Sequence, residues 1–136
     1  MSTIKAAITA VGAYVPDFVL TNKALDSMVD TNEEWITSRT GIKERRILKE
    51  EGKGTSFLAI KAAQNLLAKA NVDPLEIDLL IMATATPDMP VASTGAYVAT
   101  EIGATNAFAY DLQAACSSFL FGMSTAAAYI ESGRYK

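Results

Sequence analysis

The sequence contains no histidine and only one cysteine, Cys116, among its 136 residues. Without histidine the chain lacks the commonest general base and the commonest protein ligand of metal ions, so we do not expect a conventional metal site. A single cysteine cannot form an internal disulfide, which is typical of a protein from a reducing compartment. Cys116 is therefore expected to be a free thiol.

Long apolar segments and an excess of positive charge are also missing. No stretch approaches the roughly 18 consecutive apolar residues of a membrane-spanning helix, and the N-terminus lacks the apolar core of a secretory signal. The chain carries 12 Lys and Arg against 15 Asp and Glu, a formal net charge of −3. This balance gives no general attraction to nucleic acid or to anionic membranes. We therefore expect a cytoplasmic globular protein.

Hydrophobic periodicity predicts strands that alternate with helices. The predicted strands cover residues 4–15, 42–48, 77–84 and 108–112. Predicted helices begin at a capping box formed by Thr31 and Glu34, and near residues 55, 93 and 116. Such alternation indicates a layered α/β fold with a mixed, largely parallel sheet that has helices on both faces.

The last residues of the sequence suggest a fold that is interrupted there. Residues 133–136 look like a turn that leads into another strand. We therefore expect a single domain, residues 1–136, that stops before its last strand.

Cys116 lies in the segment DLQAACSSF, residues 111–119, between a predicted buried strand and the first turn of a predicted helix. The free N–H groups and the positive dipole end of a helix start stabilise a thiolate, which is the nucleophilic form of cysteine. The small neighbouring side chains allow a tight turn, an approaching carbonyl and backbone N–H groups around an oxyanion. Acyl transfer through Cys116 is one interpretation, and a small buried core residue is the other.

Trp35 and Arg39 are four residues apart on a predicted helix and share one of its faces. An aromatic plane beside a cation suits a nucleotide base and a phosphate. The alternative is a tryptophan at the solvent edge that packs under its own arginine.

Three segments resemble one family. DLQAACSSF is very similar to the sequence around the active-site cysteine of β-ketoacyl-acyl carrier protein synthase III and its relatives in the thiolase superfamily. MVDTNEEWI at residues 28–36, followed by RTGI at 39–42, resembles the N-terminal signature of that family, and ATATPD at 83–88 lies between the two. The resemblance covers essentially the whole chain and implies the N-terminal half of a thiolase-like fold.

The resemblance also implies a reaction. Cys116 would accept an acyl group from acyl-coenzyme A, and decarboxylation of malonyl-acyl carrier protein would then give a carbanion that attacks the thioester. The enzyme would be an acyltransferase that initiates type II fatty acid biosynthesis, a homodimer in its full-length form. It would need no cofactor, because the coenzyme A thioester is a substrate.

Three residues match family positions that contact coenzyme A. Trp35 and Arg39 correspond to residues that flank the adenine, and Thr31 corresponds to a neighbouring contact. A basic stretch overlaps this region and could meet coenzyme phosphates or an acidic carrier protein. Its members are Arg39, Lys43, Arg45, Arg46 and Lys49. Because Glu44 and Glu50 partly neutralise the stretch, a solvated strand face is an equal alternative.

The chain departs from the family in two respects. Synthase III enzymes complete their site with a His and an Asn from the second half of the chain, so we expect this chain alone to lack condensation activity. Where many relatives have a Phe-Pro pair that shapes the acyl pocket, this sequence has Val91 between Pro90 and Ala92. A smaller Val91 would admit a primer longer than acetyl.

Several rival functions stay open at this stage. Hydroxymethylglutaryl-coenzyme A synthase and polyketide-type synthases share the fold and the cysteine, although the segment with Trp35 and Arg39 favours synthase III. A non-catalytic thiolase-like binding subunit would bind coenzyme A without acylation of Cys116, whereas an inactive fragment would do neither.

Overall fold

The computed structural model describes residues 4–135. It divides the chain into two compact units: a smaller one, Val15–Lys53, and a larger one that joins the residues up to Tyr14 with those from Gly54 onward. The expectation of one domain that stops before its last strand stays a prediction. Within residues 4–135, no helix combines the length and the apolar character needed to cross a bilayer.

The smaller unit consists of two short strands and two helices: β1 (Val19–Thr21), α1 (Asn22–Asp26), α2 (Glu33–Thr40) and β2 (Glu44–Arg46). β1 pairs with β2 in antiparallel register. Asn22, 1% exposed, is the buried polar centre of this unit. Its amide nitrogen donates to Ile42 O at 2.7 Å and to Thr37 Oγ1 at 3.2 Å, and its amide oxygen accepts from Arg45 at 2.7 Å. These bonds tie the start of α1 to α2 and β2.

The predicted capping box at Thr31 is wrong. α2 is capped by Asn32, whose Oδ1 accepts from Trp35 N at 2.8 Å while its own carbonyl accepts from Ile36 N. Asparagine caps at least as well as threonine because its side-chain oxygen reaches the same orphan N–H groups. The helix therefore starts one residue later, and Gly41 ends it in the left-handed conformation at φ 71°.

The larger unit is a two-stranded parallel sheet with helices. It contains α3 (Thr55–Ala70), a 3₁₀ turn (Pro74–Glu76), β3 (Leu79–Ala83), α4 (Thr94–Glu101), β4 (Phe108–Leu112), a second 3₁₀ turn (Ala115–Ser117) and α5 (Ser118–Glu131). β3 and β4 are parallel, with Leu79 opposite Phe108 and Ala83 opposite Leu112. The predicted strands at 77–84 and 108–112 and the predicted helices from 55 and 93 are confirmed.

Helices cover both faces of this sheet. Gly95 of α4 lies against Met82, whereas Gly122 of α5 lies against Ile81. Because consecutive residues of a strand point to opposite faces, α4 and α5 pack on opposite sides of β3. The buried apolar residues of this unit are found mainly on and just after α4, at Val98, Ala99 and Ala104.

The predicted first strand at residues 4–15 is wrong. Residues 4–17 form no strand, and Ile4, Ile8 and Val11 are 50%, 70% and 71% exposed. A strand needs a hydrogen-bonded neighbour, and neither of the two sheets within residues 4–135 includes this segment. It is attached to α3 instead: a Cβ on Gly12 would lie 2.5 Å from Leu66 Cβ, so only glycine permits this close approach.

Candidate active site

Cys116 lies in the 3₁₀ turn between β4 and α5. The predicted position between a strand and a helix is confirmed, although α5 itself begins two residues later, at Ser118. The thiol is free and exposed, so the interpretation of Cys116 as a small buried core residue is wrong. Among residues 4–135 no group of three His, Cys, Asp or Glu side chains is placed to hold a metal ion.

The backbone immediately before Cys116 is strained. Ala115 has φ 46°, and within residues 4–135 the only other non-glycine residue with positive φ is Asn71, at the C-terminus of α3. A left-handed conformation costs a non-glycine residue about 1–2 kcal/mol. Such strain persists only where surrounding contacts impose it, and it is frequent at active sites. The turn that presents the thiol is therefore held by contacts elsewhere.

Ser118 supplies two of these contacts. Its side chain is buried, and its Oγ accepts from Ala114 N at 2.7 Å and donates to Ala115 O at 2.9 Å. Ser117 N and Ser118 N in turn donate to Ala114 O and Ala115 O. In the sequence, Ser118 is only one of several small neighbours of the cysteine. No spacing rule would have revealed a hydroxyl that bonds backwards across the turn.

Asp111, near the C-terminal end of β4, fixes the strand that leads to Cys116. Its carboxylate accepts from Gly95 N at 2.7 Å, from Thr94 N at 2.9 Å and from Ser93 Oγ at 3.0 Å. Burial raises the pKa of Asp111, but these donors outweigh burial and hold the pKa below its ordinary value. A negative charge is thus placed at the N-terminus of α4, where the helix dipole stabilises it.

The loop between β3 and α4, residues 84–93, is tied to the same end of the sheet. Asp88 accepts from Ser56 N with both carboxylate oxygens, at 3.1 and 3.2 Å, and its own N–H donates to Thr94 Oγ1. Val91, in the middle of the loop, is 97% exposed. The predicted role of Val91 in an acyl pocket stays a prediction.

In the smaller unit, the residues matched to coenzyme A contacts lie together. The Arg39 guanidinium carbon is 5.8 Å from the centre of the Trp35 ring, which confirms that the two side chains share a helix face. Trp35 is 54% exposed. A cavity of about 210 Å³ beside the ring is lined by Asp30, Thr31, Asn32 and Trp35. Stacking of Arg39 on Trp35 is expected both for a nucleotide site and for a tryptophan that packs under its own arginine. The cavity beside the ring favours the nucleotide site.

The basic stretch is partly occupied with contacts inside the smaller unit. Arg45 bonds to the buried Asn22, and Arg46 lies 3.4 Å from Pro16 O and 3.7 Å from Glu44. Lys49 lies over the ring of Phe18 at 4.5 Å. These contacts favour a structural role for Arg45 and Arg46 over a role in ligand binding.

An apolar cavity of about 350 Å³ lies between α5 and β3. Apolar residues that recur at helical spacing along one face of α5 line it: Phe119, Met123, Ala126 and Ile130. The neighbouring side chains Leu120 and Phe121 are 65% and 56% exposed. α5 therefore supports the thiol turn at its start and presents a largely uncovered apolar surface along its length.

Comparison with known proteins identifies relatives. The family model for 3-oxoacyl-[acyl-carrier-protein (ACP)] synthase III matches residues 110–136. β-Ketoacyl-[acyl-carrier-protein] synthase III 2 of Bacteroides thetaiotaomicron is 55% identical over 136 residues, which are all of this chain and 41% of that protein. The chain thus spans about two fifths of the length of the curated relatives it matches.

Solved structures agree with this result. Synthase III from Aquifex aeolicus superimposes with a TM-score of 0.90 at 44% identity, covering 98% of this chain and 42% of that one. The priming β-ketosynthase of the R1128 polyketide pathway gives a TM-score of 0.86 at 40% identity, covering 91% of this chain and 37% of that one. The predicted thiolase-like α/β fold is confirmed.

Proposed function

The chain corresponds in sequence and fold to the N-terminal part of a β-ketoacyl-[acyl-carrier-protein] synthase III, and from this premise we propose that Cys116 is its acyl-accepting nucleophile. The observation that carries the proposal is an exposed thiol on a strained turn between β4 and α5. An inert structural cysteine is usually buried and needs no such presentation.

The proposed half-reaction is a thioester exchange. The Cys116 sulfur attacks the carbonyl carbon of acyl-coenzyme A, a carbon–sulfur bond to Cys116 forms, and the bond to the coenzyme A sulfur breaks. The thiol proton leaves with the coenzyme A sulfur or with solvent, so acylation itself needs no cofactor. Ser117 N and Ser118 N are engaged inside the turn, so other N–H donors must hold the oxyanion.

We place the coenzyme A nucleotide against Trp35, with Arg39 near its phosphates and Thr31 at the edge of the cavity. The support is the exposed ring, the adjacent guanidinium and the cavity of about 210 Å³. Base stacking on a side chain of this kind contributes about 1–3 kcal/mol.

For the whole enzyme we propose the reaction that the resemblance implies: condensation of the acyl group with malonyl-acyl carrier protein, in the first cycle of fatty acid synthesis. We also propose that the whole enzyme is a homodimer in the cytoplasm. The decarboxylative step needs groups outside this chain, because the chain has no histidine. The chain alone is therefore proposed to catalyse acylation without condensation.

The test is an intact mass after incubation of the chain with acetyl-coenzyme A, with Cys116→Ser as the control. We expect a mass increase of one acetyl group that is absent from the control. No adduct on the wild-type chain, or an equal adduct on Cys116→Ser, would contradict the proposal. Binding of coenzyme A without any adduct would favour the non-catalytic binding subunit.

A further inference from the structure

We propose that Ser118 is a positioning residue for Cys116: its buried hydroxyl holds the strained turn in the one conformation that presents the thiol. For catalysis, the inference rests on the acyl-accepting role proposed above. For the geometry of the turn, it rests on contacts of the side chain itself.

Ser118 does not cap α5 in the ordinary way. A serine at a helix start usually accepts from an N–H two or three residues later. Ser117, the N-cap residue of α5, makes no side-chain capping bond. Ser118 instead reaches back four residues, accepts from Ala114 N and donates to Ala115 O. Its hydroxyl therefore serves the turn before the helix.

The two bonds of the Ser118 hydroxyl join backbone groups on either side of the strained Ala115. Ala115 has φ 46°. The Ser118 hydroxyl accepts from the N–H of the preceding residue, Ala114, and donates to the carbonyl oxygen of Ala115 itself. If Ala115 relaxed to a negative φ, the N–H and the carbonyl could no longer reach one oxygen atom. Ser118 is 3% exposed, so no water replaces the hydroxyl without rearrangement.

The Ser118 hydroxyl acts on the thiol through the peptide group between Ala115 and Cys116. The Ala115 carbonyl and the Cys116 N–H belong to one planar peptide group. A bond that fixes the carbonyl oxygen therefore also fixes the direction of the Cys116 N–H and of the chain that carries the sulfur. Loss of the hydroxyl should leave the thiol present but misdirected, and misplacement of a reacting group by a fraction of an ångström is costly.

The experiment compares Ser118→Ala, Ser118→Thr and the exposed neighbour Ser117→Ala in the 136-residue chain. Two rates are measured on Cys116: acylation by acetyl-coenzyme A over a range of concentrations, and alkylation by iodoacetamide. Ser118→Ala should slow acylation by on the order of tenfold with an unchanged half-saturating concentration. Ser118→Thr keeps the hydroxyl and should restore most of the rate, and Ser117→Ala should match the wild type.

A second variant distinguishes the loss of positioning from an unfolding of the chain by Ser118→Ala. Ala115→Gly removes the strain because glycine adopts positive φ freely. The double variant Ala115→Gly with Ser118→Ala should therefore recover much of the rate that Ser118→Ala loses. Equal rates for Ser118→Ala and Ser117→Ala, or no recovery in either Ser118→Thr or the double variant, would overturn the positioning role.

The two readouts separate this inference from the proposed function. If the wild-type chain is not acylated, the proposed function fails, and alkylation alone then decides the role of Ser118. Slower alkylation in Ser118→Ala, with recovery in the double variant, supports the positioning role. Unchanged alkylation overturns it.

Discussion

The carboxylate of Asp111 shows how single residues hold the candidate site. It remains charged although burial opposes the charge, because two backbone N–H groups and one hydroxyl donate to it. Its folded-state pKa lies below the ordinary value of 3.8. For a lowered pKa, the stabilising contribution is present above the unfolded-state value and is lost as the pH falls through the folded-state value.

Asp111→Asn is therefore expected to lower the free energy of unfolding by about 1–3 kcal/mol at pH 7, since the amide forms weaker bonds and cannot carry the charge. Because the variant has no carboxylate to protonate at this position, its deficit should shrink as the pH falls below the ordinary pKa of 3.8 and through the lower folded-state pKa. Denaturant unfolding across this pH range provides the measurement, with the exposed Asp26→Asn as the matched control. A deficit that does not depend on pH would contradict the electrostatic explanation.

The sequence predicted individual site residues unevenly. Cys116 stood out because a thiol at the junction of a strand and a helix has a chemical consequence that can be argued from the residue types. Ser118 did not, since its role depends on a backbone turn at Ala115 that no local preference predicts: alanine disfavours positive φ. The structure shows this contact, and the positioning role proposed for Ser118 rests on it.

At the scale of the element, α2 places Trp35 and Arg39 on one face through its helical repeat alone. Trp35 is the only tryptophan in the sequence, so its fluorescence reports directly on this face. Arg39→Ala should weaken the binding of coenzyme A, measured by this fluorescence, by about tenfold, as expected for the loss of one charge-assisted phosphate contact.

The matched control for Arg39→Ala is Arg134→Ala. Arg134 also lies over aromatic rings, those of Tyr129 and Tyr135, at 5.9 and 5.6 Å. Its removal should leave coenzyme A binding unchanged. Equal affinities in both variants would show that α2 does not bind the nucleotide and that Arg39 only covers its own tryptophan.

Most strands and helices of the larger unit were predicted from the sequence pattern, but the segment at residues 4–15 was wrongly predicted to be a strand. β4 coincides with its predicted residues 108–112, and α3 begins at Thr55, where the sequence predicts a helix start. Residues 4–15 have the composition of a strand but no strand beside them. The composition of a segment indicates its preference for the strand conformation, whereas the pairing of a strand depends on a second strand beside it.

Across the whole molecule, the chain divides into two compact units, and the proposed roles fall on residues of both. Cys116 belongs to the larger unit, and the residues matched to coenzyme A contacts belong to the smaller one. Sequence patterns alone did not predict this division: residues 14–15 have no linker composition, and the polar segment EEGKG at 50–54 is as typical of a loop within one domain as of a linker.

The chain as a whole is expected to form acyl-Cys116 but no 3-oxoacyl product when acetyl-coenzyme A and malonyl-acyl carrier protein are both supplied. The reason is the absence of histidine, the commonest general acid–base group, from all 136 residues. Release of carbon dioxide and the mass of the carrier protein are the measurements, with an intact synthase III as positive control. Carbon dioxide release that exceeds that of Cys116→Ser would contradict this expectation.

The parallel pairing of β3 and β4 has a further consequence. It brings the loop after β3 to the edge of the sheet from which the thiol turn departs, and Gln113 Nε2 lies 3.5 Å from Ala85 O across this edge. Residues 89–92 are exposed, whereas Asp88 and Thr94 on either side are anchored to helix starts. Insertions and substitutions at this tip should therefore leave the scaffold intact, so that relatives can diverge there without losing the fold.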